Sequence, residues 1–234
     1  MITTERATRV ARIGFGITVL AVIALAGIYA RALAYTPVER TQGLAQKIFY
    51  LHVPAAWATF LAFGIAGVLS LLYLWLKDRR IDLFAEASAE VGVVLATILL
   101  TTGPIWAKPI WGTWWTWDAR LTSTLFLFLL FIGYLLLRGA VTDPGMRARF
   151  SAVVGVMGLA LIPFIHLTVY LFRTQHPEPI VLRTDGPALP GVMLVTLLAS
   201  FGVFTMLYVG LVMQRYALGA LRDLRLEREA HAAG

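Results

Sequence analysis

Six long apolar runs dominate the sequence and predict an all-α membrane protein with six spanning helices. A helix needs about 20 mostly apolar residues to cross the hydrocarbon core of a bilayer. Apolar residues make up 59% of the chain and charged residues 14%, whereas soluble domains carry roughly a quarter charged residues. We predict one membrane domain over residues 1–234, with spans at about 13–33, 53–76, 84–105, 121–138, 150–172 and 190–213.

Lys and Arg are distributed unevenly between the two sides of these spans, which predicts an orientation. The termini and the second and fourth connections carry 13 of the 20 basic residues, and the other side carries 7. The richer side is expected in the cytoplasm. Both termini are therefore expected inside, and the segments 34–52, 106–120 and 173–189 on the outer face.

Charge and composition also exclude several classes of function. The net charge of +7 is concentrated in short connections, where orientation and anionic headgroups explain it without nucleic acid. The chain has no cysteine, which excludes disulfides, thiolate ligands and iron–sulfur ligation. No G-x-x-x-x-G-K-[ST] motif occurs, so this chain is not expected to drive ATP-powered movement by itself.

Tryptophan is concentrated in one outer segment. Five of the seven tryptophans lie within 106–120, whereas an aromatic belt predicts only one or two at each helix end. The alternative to a belt is a flat apolar platform for a planar ligand, because indole rings stack over large areas. Gly112 lets the backbone turn between the rings, and Asp118 is equally well placed to cap the fourth helix. The candidate platform tryptophans are Trp106, Trp111, Trp114, Trp115 and Trp117.

Two histidines flank this segment from different outer connections. Because proline favours the first position of a helix, Pro54 places His52 just outside the second span. His176 precedes Pro177 in the third outer segment, where the backbone is expected to be extended. Two imidazoles at one depth beside an aromatic platform suit the axial positions of a haem iron. Taken separately, each is more often an interfacial side chain that forms a hydrogen bond than a metal ligand.

The remaining polar groups near the predicted platform allow more than one interpretation. His166 lies on the fifth span, one turn after Pro163, and is either a rival iron ligand or an imidazole bonded to a carbonyl near that proline. Arg120 and Lys108 flank the tryptophans, and they suit either the propionate carboxylates of a haem or lipid phosphates.

Glu86 and Glu90 interrupt the third apolar run and lie four residues apart, on one helix face near the inner side. We expect them to neutralise Arg79 or Arg80. Contact with a partner subunit is the alternative.

Two stretches of sequence carry a family resemblance. The run 111–123, WGTWWTWDARLTS, resembles the tryptophan-rich WWD signature of haem-handling membrane proteins. With the run 47–57, KIFYLHVPAAW, it resembles CcmC, the haem exporter protein C family of cytochrome c maturation, across essentially the whole chain. The larger haem lyases CcmF and CcsA share the WWD run, but the short chain and the second run favour CcmC.

The resemblance implies a site, a cofactor and partners. CcmC proteins hold haem b non-covalently at the outer face of the bacterial inner membrane, between the WWD platform and one histidine from each flanking segment. They pass it to the haem chaperone CcmE, working with the ATPase CcmA, the permease CcmB and the small protein CcmD. By position the axial ligands map onto His52 and His176. The platform maps onto Trp111, Trp114, Trp115, Trp117 and Asp118.

These expectations describe a haem-delivery subunit rather than an enzyme. A haem lyase that joins haem to apocytochrome thiols is one alternative, but it would be expected to carry more spans and a large outer domain. A transporter permease with the tryptophan segment as a lid is the other. That function predicts ionisable residues along a path through the membrane, and the spans have few.

Overall fold

The computed structural model of the chain describes residues 3–177, 181 and 186–233. Among those residues, six helices are long and apolar enough to cross a membrane, and the predicted all-α architecture with six spans is confirmed. Part of the segment 173–189, including Arg183 from the charge count above, lies outside the described residues. The helices are α1 (Thr4–Tyr35), α2 (Phe49–Leu76), α3 (Arg79–Trp111), α4 (Ala119–Ala140), α5 (Pro144–Leu171) and α6 (Gly191–Ala233), with a short 3₁₀ helix (Leu44–Ile48) before α2.

The helices form a bundle with α2 and α3 at its centre. Helix α1 packs along α6, α2 packs against α3 and α5, and α4 packs against α5. The termini and the α2–α3 and α4–α5 connections lie at one end of the bundle, here called the tail end. The α1–α2 and α3–α4 connections and the described residues between α5 and α6 lie at the other, here called the platform end.

Small residues allow several of these helices to approach closely. A Cβ atom on Gly67 of α2 would lie 2.5 Å from the Cβ of Leu159 on α5. A Cβ on Gly14 of α1 would lie 2.8 Å from the carbonyl oxygen of Gly210 on α6. Without a hydrophobic driving force between helices in lipid, this kind of close packing is a main source of helix association.

Helix α2 begins earlier than the sequence pattern indicates. It starts at Phe49, so Pro54 is inside the helix and His52 lies in its first turn. The prediction that His52 lies just outside the second helix is therefore wrong. Pro54 has no N–H to donate to the carbonyl of Tyr50. The hydroxyl of Ser200 on α6 donates to that carbonyl instead, at 2.7 Å, which lets the helix continue through the proline.

Helix α3 also extends beyond its apolar run. It ends at Trp111, so residues 106–111 are helical and only 112–118 form the α3–α4 connection. The sequence pattern had assigned all of 106–120 to a loop. Gly112 ends the helix with a positive φ of 75°, and its N–H donates to the carbonyl of Lys108 at 3.0 Å. Glycine adopts this conformation without steric cost.

The two glutamates of α3 form ion pairs with arginines from other helices. Glu86 accepts from Arg138 of α4 at 2.6 Å and lies 3.3 Å from Arg222 of α6. Glu90 pairs with Arg215 of α6. The expectation that they neutralise the two arginines at the start of α3 is wrong, because those arginines form their ion pairs with aspartates instead.

Candidate functional site

One turn of α3 holds the imidazole of His52. Its Nδ1 lies 3.0 Å from the hydroxyl oxygen of Thr102. The ring of Trp106 meets the imidazole edge to face, with centroids 5.6 Å apart. A Cβ on Gly103 would lie 3.1 Å from Cε1 of His52, so the glycine permits this close approach. The imidazole is thus fixed from three neighbouring positions on α3.

Trp106 is itself fixed in place by residues before α2. Its indole N–H donates to the side-chain oxygen of Gln42 at 3.1 Å, and its ring lies edge-on to Phe49 with centroids 6.1 Å apart. Trp106 therefore lies against His52 and is partly buried. Trp106 lies on α3, before the α3–α4 connection that carries the later tryptophans.

The α3–α4 connection presents apolar rings at the surface. Trp114 is 57% exposed and Trp117 is 77% exposed, a large amount of indole surface for one short connection. Trp115 is partly buried and meets Trp117 edge to face at a centroid distance of 5.9 Å. The Thr113 hydroxyl donates to the carbonyl of Trp115 at 3.0 Å. With the partly buried Trp111 at the end of α3, these residues provide an aromatic surface that a ligand could cover.

Two buried polar atoms near this surface have no hydrogen-bond partner among the described residues. They are the indole nitrogen of Trp115 and the hydroxyl oxygen of Thr122. A buried donor without an acceptor costs about 1–3 kcal/mol.

Charged side chains stand at the start of α4. Asp118 accepts a hydrogen bond from the backbone N–H of Leu121 at 2.9 Å, which confirms its role as the helix cap. Arg120 follows in the first turn of α4 and is partly buried. Lys108 is exposed and donates to the carbonyl of Gly112 at 2.9 Å, so its ammonium group binds the connection itself.

His176 lies in the connection after α5 and is partly buried. Its Nδ1 is 3.1 Å from the carbonyl oxygen of Pro177. Burial, and next the nearby Arg120 guanidinium, lower the pKa of His176 to about 4. The imidazole is therefore neutral near pH 7 and keeps a lone pair that can bind a metal.

The structure brings together residues from three separate parts of the chain. His52 on α2, Arg120 on α4 and His176 after α5 all lie at the platform end, and the Arg120 guanidinium is near enough to His176 to help lower its pKa. Two imidazoles are too few to hold a bare metal ion securely. They are sufficient for an iron that already has four porphyrin nitrogens, because such an iron needs only axial ligands.

His166 is arranged differently. Its Nδ1 lies 3.0 Å from the carbonyl oxygen of Ile162, just before Pro163, and its ring meets Phe60 edge-on at a centroid distance of 4.9 Å. The predicted bond to a carbonyl near the proline is therefore present. The side chain lies on the exposed surface of α5.

Sequence reasoning missed three residues that support His52, namely Gln42, Thr102 and Gly103. One signal was available, because the Thr101-Thr102-Gly103-Pro104 run places hydroxyls, a glycine and a proline inside an apolar span. Gln42 carried no comparable signal.

Comparisons with known proteins show the family to which the chain belongs. A family model described as "Heme exporter protein C" (CcmC) matches residues 3–232. A protein named Heme exporter protein C from Bradyrhizobium diazoefficiens is 37% identical over 206 residues, covering 88% of this chain and 76% of that protein. The Haemophilus influenzae protein of the same name is 32% identical over 191 residues, covering 82% and 78%. The one from Paracoccus denitrificans is 35% identical over 181 residues, covering 77% and 75%.

The match extends over nearly the whole chain, and the six apolar helices agree with it. With its bacterial relatives, this architecture indicates a multi-pass protein of the inner membrane. The chain belongs to the haem exporter protein C family, CcmC.

Proposed function

We propose that this protein binds haem b non-covalently at the platform end and delivers it to the haem chaperone CcmE during maturation of c-type cytochromes. The observation that supports the proposal is that His52 and His176 lie at the same end of the bundle as the exposed tryptophans of the α3–α4 connection. The relatives named Heme exporter protein C support the same cargo.

The chemistry of these residues fits haem. His52 and His176 supply the axial ligands, and Arg120 pairs with a propionate carboxylate. Each indole ring offers about 150–250 Å² of surface. A ligand that loses several hundred Å² of apolar surface gains on the order of 10 kcal/mol before the costs of association are subtracted. Haem is therefore retained without a covalent bond and is still released to a partner.

We infer that the platform end faces the periplasm, because the tail end carries most of the Lys and Arg residues. The chain has no phosphate-binding ATPase motif, so ATP-driven steps belong to the partner CcmA, with CcmB and CcmD completing the complex. The protein acts as a delivery subunit. A lyase activity would need this site to bring apocytochrome thiols to the haem vinyl groups.

Visible spectroscopy tests the ligand assignment. Purified wild-type protein, titrated with haem in detergent, is expected to develop the Soret band of a haem with two histidine ligands. His52→Ala and His176→Ala each shift the band, and the double variant loses it. His231→Ala, in the tail, is the matched control and leaves it unchanged. A wild-type spectrum from the double variant would exclude the pair as ligands, and loss of the band in His166→Ala would identify a different ligand.

A transfer assay tests the delivery step. Haem-loaded protein is mixed with purified CcmE and, separately, with a CxxCH peptide. Transfer to CcmE without thioether formation on the peptide is expected. Thioether formation would favour the lyase alternative. Trp117→Ala, which removes the most exposed ring of the connection, is expected to weaken haem retention by about 1–3 kcal/mol while the protein still folds.

A further inference from the structure

We propose that Thr102 is a positioning residue that fixes the tautomer of His52, so that Nδ1 carries the proton and Nε2 keeps a free lone pair for the iron. The inference rests on the proposed ligation of haem by His52. It concerns the side chain that contacts Nδ1 of His52.

The hydrogen-bond arrangement assigns the proton. A threonine hydroxyl has one hydrogen to donate. The Thr102 hydroxyl directs it along its own helix, to the carbonyl of Ile98 at 2.8 Å, with the carbonyl of Leu99 at 3.3 Å as a second acceptor. The hydroxyl oxygen therefore presents a lone pair to Nδ1 of His52, 3.0 Å away. We therefore assign Nδ1 as the donor in this contact.

The neutral imidazole carries one proton, so a proton on Nδ1 leaves Nε2 unprotonated. The opposite tautomer would require the Thr102 hydroxyl to turn away from both carbonyls and donate to Nδ1 instead. A ring flip would put carbon against the hydroxyl, and Gly103 and Trp106 restrict the space for such a rotation. The packing and the hydrogen bond therefore favour the same arrangement.

His176 provides a useful comparison. Its Nδ1 lies 3.1 Å from the carbonyl of Pro177, and a carbonyl can only accept a hydrogen bond. His176 therefore also presents Nε2. Its partner is backbone, which no substitution removes, whereas the partner of His52 is a side chain that can be replaced.

A bond from Nδ1–H to an acceptor also makes the imidazole a stronger electron donor through Nε2. Partners of this kind behind metal-binding histidines typically change affinity by about 10–100-fold when they are removed. A stronger donor favours ferric iron, so loss of the bond should raise the midpoint potential of the bound haem.

The experiment compares Thr102→Val, which keeps the shape and removes the hydroxyl, with Thr102→Ser, which restores it. Thr101→Val is the matched control, because the hydroxyl of Thr101 is exposed and donates only to the carbonyl of Thr97 at 2.7 Å. Nitrogen NMR of the haem-free, histidine-labelled protein reports the tautomer directly, with His52→Ala identifying the signal. Haem titration and redox potentiometry report the consequences.

In the wild-type protein, the His52 signals are expected to show a protonated Nδ1 and a bare Nε2. Thr102→Val should weaken haem binding roughly tenfold or more and raise the midpoint potential, whereas Thr102→Ser and Thr101→Val stay near wild type. A protonated Nε2 in the haem-free wild type overturns the inference, even if Thr102→Val fails to fold. Wild-type affinity and potential in Thr102→Val overturn it as well. If His52→Ala leaves the haem spectrum unchanged, His52 is not an iron ligand. That result contradicts the proposed function and not the tautomer assignment.

Discussion

Arg138 is the centre of a buried charge network at the tail end, and replacing it should strongly destabilise the protein. It is 6% exposed and donates to both carboxylate oxygens of Asp82, at 2.7 and 3.0 Å. It also donates to Glu86 at 2.6 Å. Asp82 is itself 2% exposed. Arg138→Met keeps most of the side-chain volume and removes the positive charge between two carboxylates.

Removing one partner of a buried ion pair typically costs about 3–5 kcal/mol, because the remaining charge stays buried without compensation. Two other arginines reduce the effect here. Arg79 still pairs with Asp82, and Arg222 still lies near Glu86. We therefore expect the lower end of the range, about 3 kcal/mol, which changes the ratio of folded to unfolded protein by about 100-fold.

Unfolding by sodium dodecyl sulfate in mixed micelles, followed by tryptophan fluorescence, measures the change. Arg225→Met is the matched control, because Arg225 forms an ion pair with Glu229 on the exposed surface of α6 and such pairs contribute about 0–1 kcal/mol. Combining Arg138→Met with Asp82→Asn should cost less than the sum of the two single changes. An Arg138→Met variant as stable as Arg225→Met would show that the network does not hold these helices together.

Two further predictions concern helix packing and capping. Gly67→Ala places a methyl group 2.5 Å from the Cβ of Leu159 and should cost about 1–3 kcal/mol in the same unfolding assay. Gly64→Ala is its control, because the new Cβ has no contact closer than 3.9 Å, and equal stability of the two variants would refute the packing argument. Asp118→Ala loses the cap on the N–H of Leu121 and should cost about 1 kcal/mol, whereas Asp118→Ser keeps it. If haem loading falls equally in the Asp118→Ala and Asp118→Ser variants, haem loading depends on the negative charge of Asp118 and not on the helix cap.

The number of helices could be predicted from sequence, and their ends could not. The bilayer requires runs of about 20 apolar residues, and these are visible without a structure. The ends of the helices depend on hydrogen bonds between residues that are far apart in the sequence. Pro54 indicated a helix start, but Ser200 on α6 satisfies the carbonyl that the proline leaves free. No local pattern reveals a partner 150 residues away.

The same distinction applies to the candidate site. The tryptophan-rich segment and the histidines could be selected from composition and spacing, because few other residues in these spans carry chemistry. Their surroundings could not, since they depend on which face of α3 meets α2. Thr102 lies 50 residues from His52 in sequence, and no sequence pattern indicated that Trp106 packs against the His52 imidazole.

Helix α3 connects the charge network at the tail end with the candidate site at the platform end. Its tail end carries Asp82 and Glu86, which hold Arg138 of α4, and its platform end carries the turn that supports His52. A helix of 33 residues is about 50 Å long, so both contacts lie on one continuous element. Helix α4 is thus joined to α3 at both ends, by the ion pairs and by the short connection that carries the exposed tryptophans. The surface that we propose for haem is therefore built between fixed helix ends, and the ordering cost of forming it is met during folding rather than at each binding event.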